Sequence, residues 1–200
     1  MFMSLLMILV TTLITDLGIV LLMDDGLSLL KSTYQEEASY LSDSMHVQAQ
    51  TFVSDWVNIS YHWAFEKTGI HSYLYSGGSQ ITSNLLSNIW PLLQGAVIGF
   101  QIFMMRLAVI VLMMPFILLI MIIAVVDGYL GWFRRRTGGG RESGFIYHRS
   151  KNIVCWSIVG LWFFYLVPPF AIDPVYIFLP SIILLGLSTR FSIQYFKKYI

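Results

Sequence analysis

Leu107 to Arg149 reads LAVIVLMMPFILLIMIIAVVDGYLGWFRRRTGGGRESGFIYHR. In order it gives an apolar run, an aromatic collar, three arginines, a glycine run and a second basic patch. Leu107 to Val126 is long enough to cross a bilayer core. Tyr129 and Trp132 suit the membrane–water interface, and arginines beyond them mark the cytoplasmic side by the positive-inside rule. This stretch therefore orients the rest of the chain.

Composition agrees with a membrane reading. The 200 residues are 56% hydrophobic and 12% charged, with mean hydropathy +0.70. A soluble domain usually carries about twice that charge. Net charge is +1, so the overall balance gives no sign of nucleic acid. Its distribution is uneven. Residues 24–87 hold seven acids (Asp24, Asp25, Glu36, Glu37, Asp43, Asp55, Glu66) against Lys31 and Lys67. Residues 132–152 hold six basic residues against Glu142 alone. The single cysteine, Cys155, lies in an apolar run and reads as a buried apolar residue. The four histidines show no metal-ligand spacing.

Met1 to Met23 has no basic leader and no small-residue cleavage site before Asp24, so it reads as an uncleaved transmembrane helix. Asp16 lies within it, where a charge costs about 2.5–3.5 kcal/mol. It is either protonated or locally bonded, or it meets a partner in another helix or subunit. Gln101 and Arg106 are the candidates within the chain. Residues 24–91 form the water-facing segment. Thr33-x-x-Glu36 is a capping box that predicts a helix start. Apolar positions then fall at 34, 38, 41 and 45, and at 49, 52, 56, 59 and 63. That spacing predicts the buried face of one long helix with a small slip near Met45 to Ala49. Gly69 suits its C-cap, and Ser76 to Ser79 a turn. Asn58-Ile59-Ser60 is a sequon by pattern only.

Residues 92–133 contain no clustered turn signal, and Met104 to Leu107 are helix formers throughout. One continuous helix is therefore expected, with the span at 107–126 inside it and Arg106 just ahead. At ~1.5 Å per residue it would be about 60 Å long, twice the ~30 Å hydrocarbon core, so part of it projects or tilts. Gly95-x-x-x-Gly99 is either chance spacing or a place where another helix comes close. Asp127 reads as a local ion-pair partner of the arginines that follow, or as a contact to another subunit. Residues 134–152 form a basic, glycine-rich loop, 153–170 a third span closed by Pro168-Pro169, 175–196 a fourth, and 197–200 a tail. The predicted class is all-α: a polytopic membrane protein of four spans, with a helical outer segment and one long helix entering the membrane. N- and C-termini lie in the cytoplasm, and the acidic segment 24–91 lies outside.

No catalytic set emerges, and no cofactor or metal is expected. Gly138-Gly139-Gly140 lacks the lysine and the preceding strand of a phosphate-binding loop. The flanking residues suit three uses: arginines at lipid headgroups, a protein-docking surface, or, less well, nucleic acid, for which aromatic interleaving is sparse. The docking candidates are Arg134, Arg135, Arg136, Gly139, Gly140, Arg141, Glu142, Tyr147 and His148. The intramembrane polar residues Asp16, Gln101, Arg106 and Asp127 are candidates for assembly or for an ion path.

The stretch FRRRTGGGRESGFIYHRSK, Phe133 to Lys151, resembles the signature of bacterial inner-membrane proteins described as integrating conjugative element membrane proteins, of the TraJ type found in conjugative plasmids. Asp127-Gly128, the proline-interrupted hairpin after the loop and the ending Phe196 to Tyr199 are similar too. The resemblance runs from about Trp90 to Ile200. It implies a part in conjugative DNA transfer through a type IV secretion system, beside the coupling ATPase. On that reading the chain is a non-enzymatic structural or adaptor subunit of the bacterial inner membrane. Its expected partners are the coupling ATPase, membrane lipids and further copies of itself, with no direct contact to nucleic acid. The rival readings are a transport or sensing subunit using Asp16 and Arg106, and an entry-exclusion protein acting through the outer segment.

Overall fold

The computed structural model describes residues 2–23, 25–69, 71, 86–138 and 144–196. These form six α-helices: α1 (Phe2–Leu22), α2 (Gly26–Ser44), α3 (Val47–Tyr61), α4 (Leu86–Thr137), α5 (Gly144–Leu166) and α6 (Pro174–Gln194). A π-helical turn, His62–Glu66, continues α3. No strand occurs among the described residues, as expected for an all-α chain. Two compact units are present: Met1–Leu112 with Tyr165–Asp173, and Met113–Phe164 with Pro174–Ile200.

In the first unit α1 and α2 form a tight hairpin. A side chain at Gly26 would lie 2.7 Å from the Val20 Cα, so this turn needs a glycine. The helix begins at Gly26 with Asp25 as its N-cap residue, not at the capping box. Thr33 is already in its second turn and donates its hydroxyl to the Leu29 carbonyl at 2.9 Å. Nor do α2 and α3 form one long helix. Met45 and His46 are extended. The Gln50 side-chain amide donates to the Ser42 and Met45 carbonyls at 2.9 and 2.8 Å, satisfying acceptors left open at the end of α2. The slip in the apolar pattern marks this break. Gly69 does adopt the left-handed conformation, with φ 76°.

The buried face also differs from the expected one, apart from Leu41. Leu30, Thr33, Glu37 and Leu41 are buried on α2, and Val53 and Val57 on α3. Phe52 and Trp63 are 38% and 62% exposed, although the π-turn does reach α4 through Phe65, whose ring meets Phe100 edge-on at 5.2 Å. Val53 and Val57 sit one position round from Phe52 and Trp56. Periodicity alone does not choose between two adjacent apolar stripes. The upper part of α4 completes this core with Ile102, Phe103, Met105, Ala108, Val109 and Ile110. Full burial of an aliphatic side chain is worth about 1.5–3 kcal/mol.

The long helix is continuous through Arg106 and past Pro91 and Pro115. Its 52 residues span about 78 Å. It starts earlier and ends later than 92–133. Together with the early start of α5 it takes most of the expected basic loop into helix. Arg134, Arg135 and Arg136 occupy the last turn of α4, where cations favour the helix dipole. Tyr147 and His148 lie in α5. Gly139, Gly140, Arg141 and Glu142 fall outside the described residues, as does the turn at 76–79.

In the second unit α4 and α6 lie side by side and parallel. A side chain at Gly128 would come within 2.8 Å of the Arg190 carbonyl oxygen, and one at Gly186 within 3.1 Å of Ile120. Asp127 pairs with Arg190 at 2.6 Å rather than with the arginines that follow it. Cys155 is exposed rather than buried. Among the described residues two helices, α4 from Trp90 onward and α6, are long and apolar enough to cross a membrane. Of the other two expected spans, α1 has the shorter apolar stretch Leu6–Leu22, interrupted by Asp16. The first turns of α5 carry His148, Arg149 and Lys151.

Candidate functional site

Arg106 is the largest fully buried side chain of the first unit, at 1% exposure. A guanidinium offers five N–H donors and no acceptor, and all five positions are used. Nε donates to the Glu37 carboxylate at 2.8 Å, and Nη2 to the same carboxylate oxygen. Nη2 also reaches the Phe170 carbonyl at 2.9 Å. Nη1 donates to the Leu166 and Pro168 carbonyls at 3.3 and 2.5 Å.

The sequence explains why carbonyls wait there. α5 ends at Leu166, so its last carbonyls lack helical donors. Pro168 and Pro169 have no N–H and stop the chain from continuing as helix. The 167–173 connection is therefore rich in acceptors and poor in donors, and Arg106 is the donor. Thr12 adds a weaker contact, its one hydroxyl proton going to the Ile8 carbonyl at 2.9 Å and shared with the Leu166 carbonyl at 3.3 Å. One side chain thus ties the middle of α4 to α2 and to the α5–α6 connection.

Of the polar residues singled out from sequence, Arg106 and Asp16 both lie in this core, without pairing through a hydrogen bond. Arg106 takes Glu37 instead. Asp16 is 2% exposed and packs against Gly99, where an added Cβ would sit 2.5 Å from its Oδ2. That oxygen is buried without a hydrogen-bond partner among the described residues. Gly95 faces Val20 in the same way, so the Gly95-x-x-x-Gly99 spacing does admit α1. Gln101 lines a separate groove with Lys31, Tyr61, Trp90 and Gln94. Asp127 belongs to the second unit.

Glu37 escaped the sequence reading. The signal was present: Glu37 lies seven residues after Leu30 and four before Leu41, on the stripe that is buried. An acid at such a position asks for a buried cation. Burial pushes the Glu37 carboxyl above the ordinary glutamate value near 4.5, and the facing Arg106 opposes that shift. A raised value means that the folded state holds the proton more tightly than the unfolded state. The Glu37 contribution is therefore complete below the ordinary value and falls as pH rises through the raised one. Melting temperature should decline over that window, and Glu37→Gln should flatten the decline. A rise in the wild type over the same window would contradict this.

The docking candidates among the described residues, Arg134, Arg135, Arg136, Tyr147 and His148, fall in the second unit. Arg134 and Arg136 are exposed and Arg135 is half-buried. Arg135 stacks over the Tyr195 ring at 4.9 Å, and Arg136 over Trp132 at 5.3 Å. Tyr147 meets the rings of His148 and Phe196 at 5.3 and 5.6 Å. No group of acids, histidines and cysteines with metal-site geometry occurs among the described residues.

Residues 21–197 match the family described as IncC plasmid conjugative DNA transfer protein DtrJ-like. The chain belongs to this DtrJ-like family. No curated protein and no solved structure matches it. Membership makes it a conjugative DNA transfer protein, in line with the conjugative part of the resemblance seen in sequence. The DtrJ-like match covers residues 24–91 and takes in Glu37, Arg106 and the 167–173 connection. Thr12 and Asp16 lie ahead of it.

Proposed function

We propose that this DtrJ-like protein is a TraJ-type structural or adaptor subunit of the inner membrane in a bacterial type IV secretion apparatus. It crosses the membrane four times with both termini in the cytoplasm, forms oligomers, and holds the coupling ATPase during DNA transfer. Family membership supplies the conjugative setting. The observation that carries the membrane part is the exposed apolar surface. Phe116, Leu118, Leu119, Ile122 and Ile123 on α4, and Leu179, Ile183, Leu184 and Leu187 on α6, are all exposed. Water would not tolerate so continuous a patch on an isolated soluble chain, whereas lipid would. Docking falls to Arg134, Arg135, Arg136, Gly139, Gly140, Arg141, Glu142, Tyr147 and His148.

Replacing Arg134, Arg135, Arg136 and Arg141 together by alanine should abolish co-purification with the ATPase in mild detergent while the protein stays in the membrane. Retained co-purification would sink the docking role. The buried, unpartnered Asp16 oxygen favours the transport or sensing reading as the alternative. In that case Asp16→Asn would stop transfer and leave the ATPase complex intact.

A further inference from the structure

We infer that an aromatic cleft at the arginine-bearing end of the second unit is a binding site for one anionic phospholipid. Three helices and the residues just past the last of them build it: Tyr129 and Trp132 from α4, Tyr147 from α5, Ser192 and Ile193 from α6, and Phe196 beyond its end. It holds about 310 Å³ and its lining is almost wholly apolar, Ser192 apart. Tyr and Trp are the side chains that prefer the interfacial layer of a bilayer, with an apolar body and a polar tip. Tyr129, Leu130 and Phe133 beside it are exposed, so the cleft opens onto the apolar face of α4. An acyl chain can enter without crossing a polar barrier.

The charge at its rim is positive. Arg136 lies over Trp132 itself, and Arg135 over Tyr195, the neighbour of Phe196. The Asp127 carboxylate is already paired with Arg190. Arg135 carries a second indication. Its Nη1 is shielded from water and has no hydrogen-bond partner among the described residues, although shielded donors are nearly always satisfied. A phosphate diester at the rim would accept from the exposed Arg136, and from Arg135 Nη1 once that side chain turns outward, in the short charge-assisted geometry guanidinium groups favour. A zwitterionic lipid brings its own ammonium and gains less. A lipid seated there shares Arg135, Arg136 and Tyr147 with the docking surface proposed above.

The inference rests on the membrane placement proposed above, and the test separates the two. Full-length protein is first checked for flotation with vesicles. Failure to float would remove the membrane reading and this inference with it. Floating protein is then extracted, delipidated and titrated with phosphatidylglycerol, with phosphatidylcholine of the same acyl chains, and with inorganic phosphate. Bound lipid is counted by native mass spectrometry. Phosphatidylglycerol should be retained at about one per chain, phosphatidylcholine much less, and inorganic phosphate should not displace it. Arg135→Gln and the exposed Arg136→Gln should each weaken retention about fivefold, while Arg134→Gln, which lies over no aromatic ring among the described residues, should change it far less. Arg136→Gln serves if Arg135→Gln fails to fold. Equal binding of the two lipids, displacement by phosphate, or an equal loss from Arg134→Gln would each overturn the inference while the membrane reading stands.

Discussion

Arg106→Gln is expected to destabilise the first unit by about 3–5 kcal/mol, the range for breaking a buried ion pair by removing one partner. The substitution leaves Glu37 buried opposite an amide, strands the Pro168 and Phe170 carbonyls, and leaves Leu166 only its Thr12 contact. Arg106→Lys keeps the charge but not the planar fork. With three donors it cannot reach four acceptor groups spread over α2 and the α5–α6 connection, so an intermediate loss is expected. The double change Arg106→Leu with Glu37→Leu should be much milder than either leucine substitution alone, because it removes both charges and fills their space. Thermal unfolding of the detergent-solubilised protein, followed by circular dichroism, gives the ranking. If Arg106→Gln melts like the wild type, the network carries no stability. If the double variant is stable but no longer supports DNA transfer, the pair serves function beyond folding.

The legible and illegible parts of this chain divide along physical lines. The passage of α4 through Arg106 was readable because continuity needs only the absence of breakers, which is a local property. Arg106 drew attention because a charge among apolar residues stands out. Its partner did not, since Glu37 is 69 residues away and its neighbour Glu36 made it look like part of a solvated acidic run. The same limit hid Arg190 as the partner of Asp127. Nearby arginines offered a local answer, and only the parallel packing of α4 on α6 brings the distant one closer. The α2–α3 break shows a different failure. Two helices joined by two extended residues keep nearly the same apolar spacing as one helix, so the pattern recorded a slip where the chain turns back. The loop expected over 134–152 is longer than the connection found, because the arginines at both its ends lie in helix. Arginine is a good helix former and is favoured in a last turn.

Gly99→Ala is expected to cost about 1–3 kcal/mol, the usual range for overpacking a close-packed site. The reason lies in α1. A methyl group at position 99 would sit 2.5 Å from the Asp16 Oδ2 and 3.3 Å from its Cβ. Asp16 has little room to yield, being buried itself. Gly18 provides the control. Nothing lies within 4 Å of its added Cβ, so Gly18→Ala should gain up to about 1 kcal/mol from helix propensity alone. Two alanines placed in helices should therefore shift the melting temperature in opposite directions. Truncating the opposing side chain tests the cause directly. With Asp16→Ala the carboxylate is gone, and the added methyl at 99 meets only a Cβ at a tight but tolerable distance. The double variant should then recover much of the loss, with a coupling of about 0.5–3 kcal/mol between the two positions. Additive effects would mean that α1 does not close on α4 at Gly99, and the buried position of Asp16 would fall with that contact.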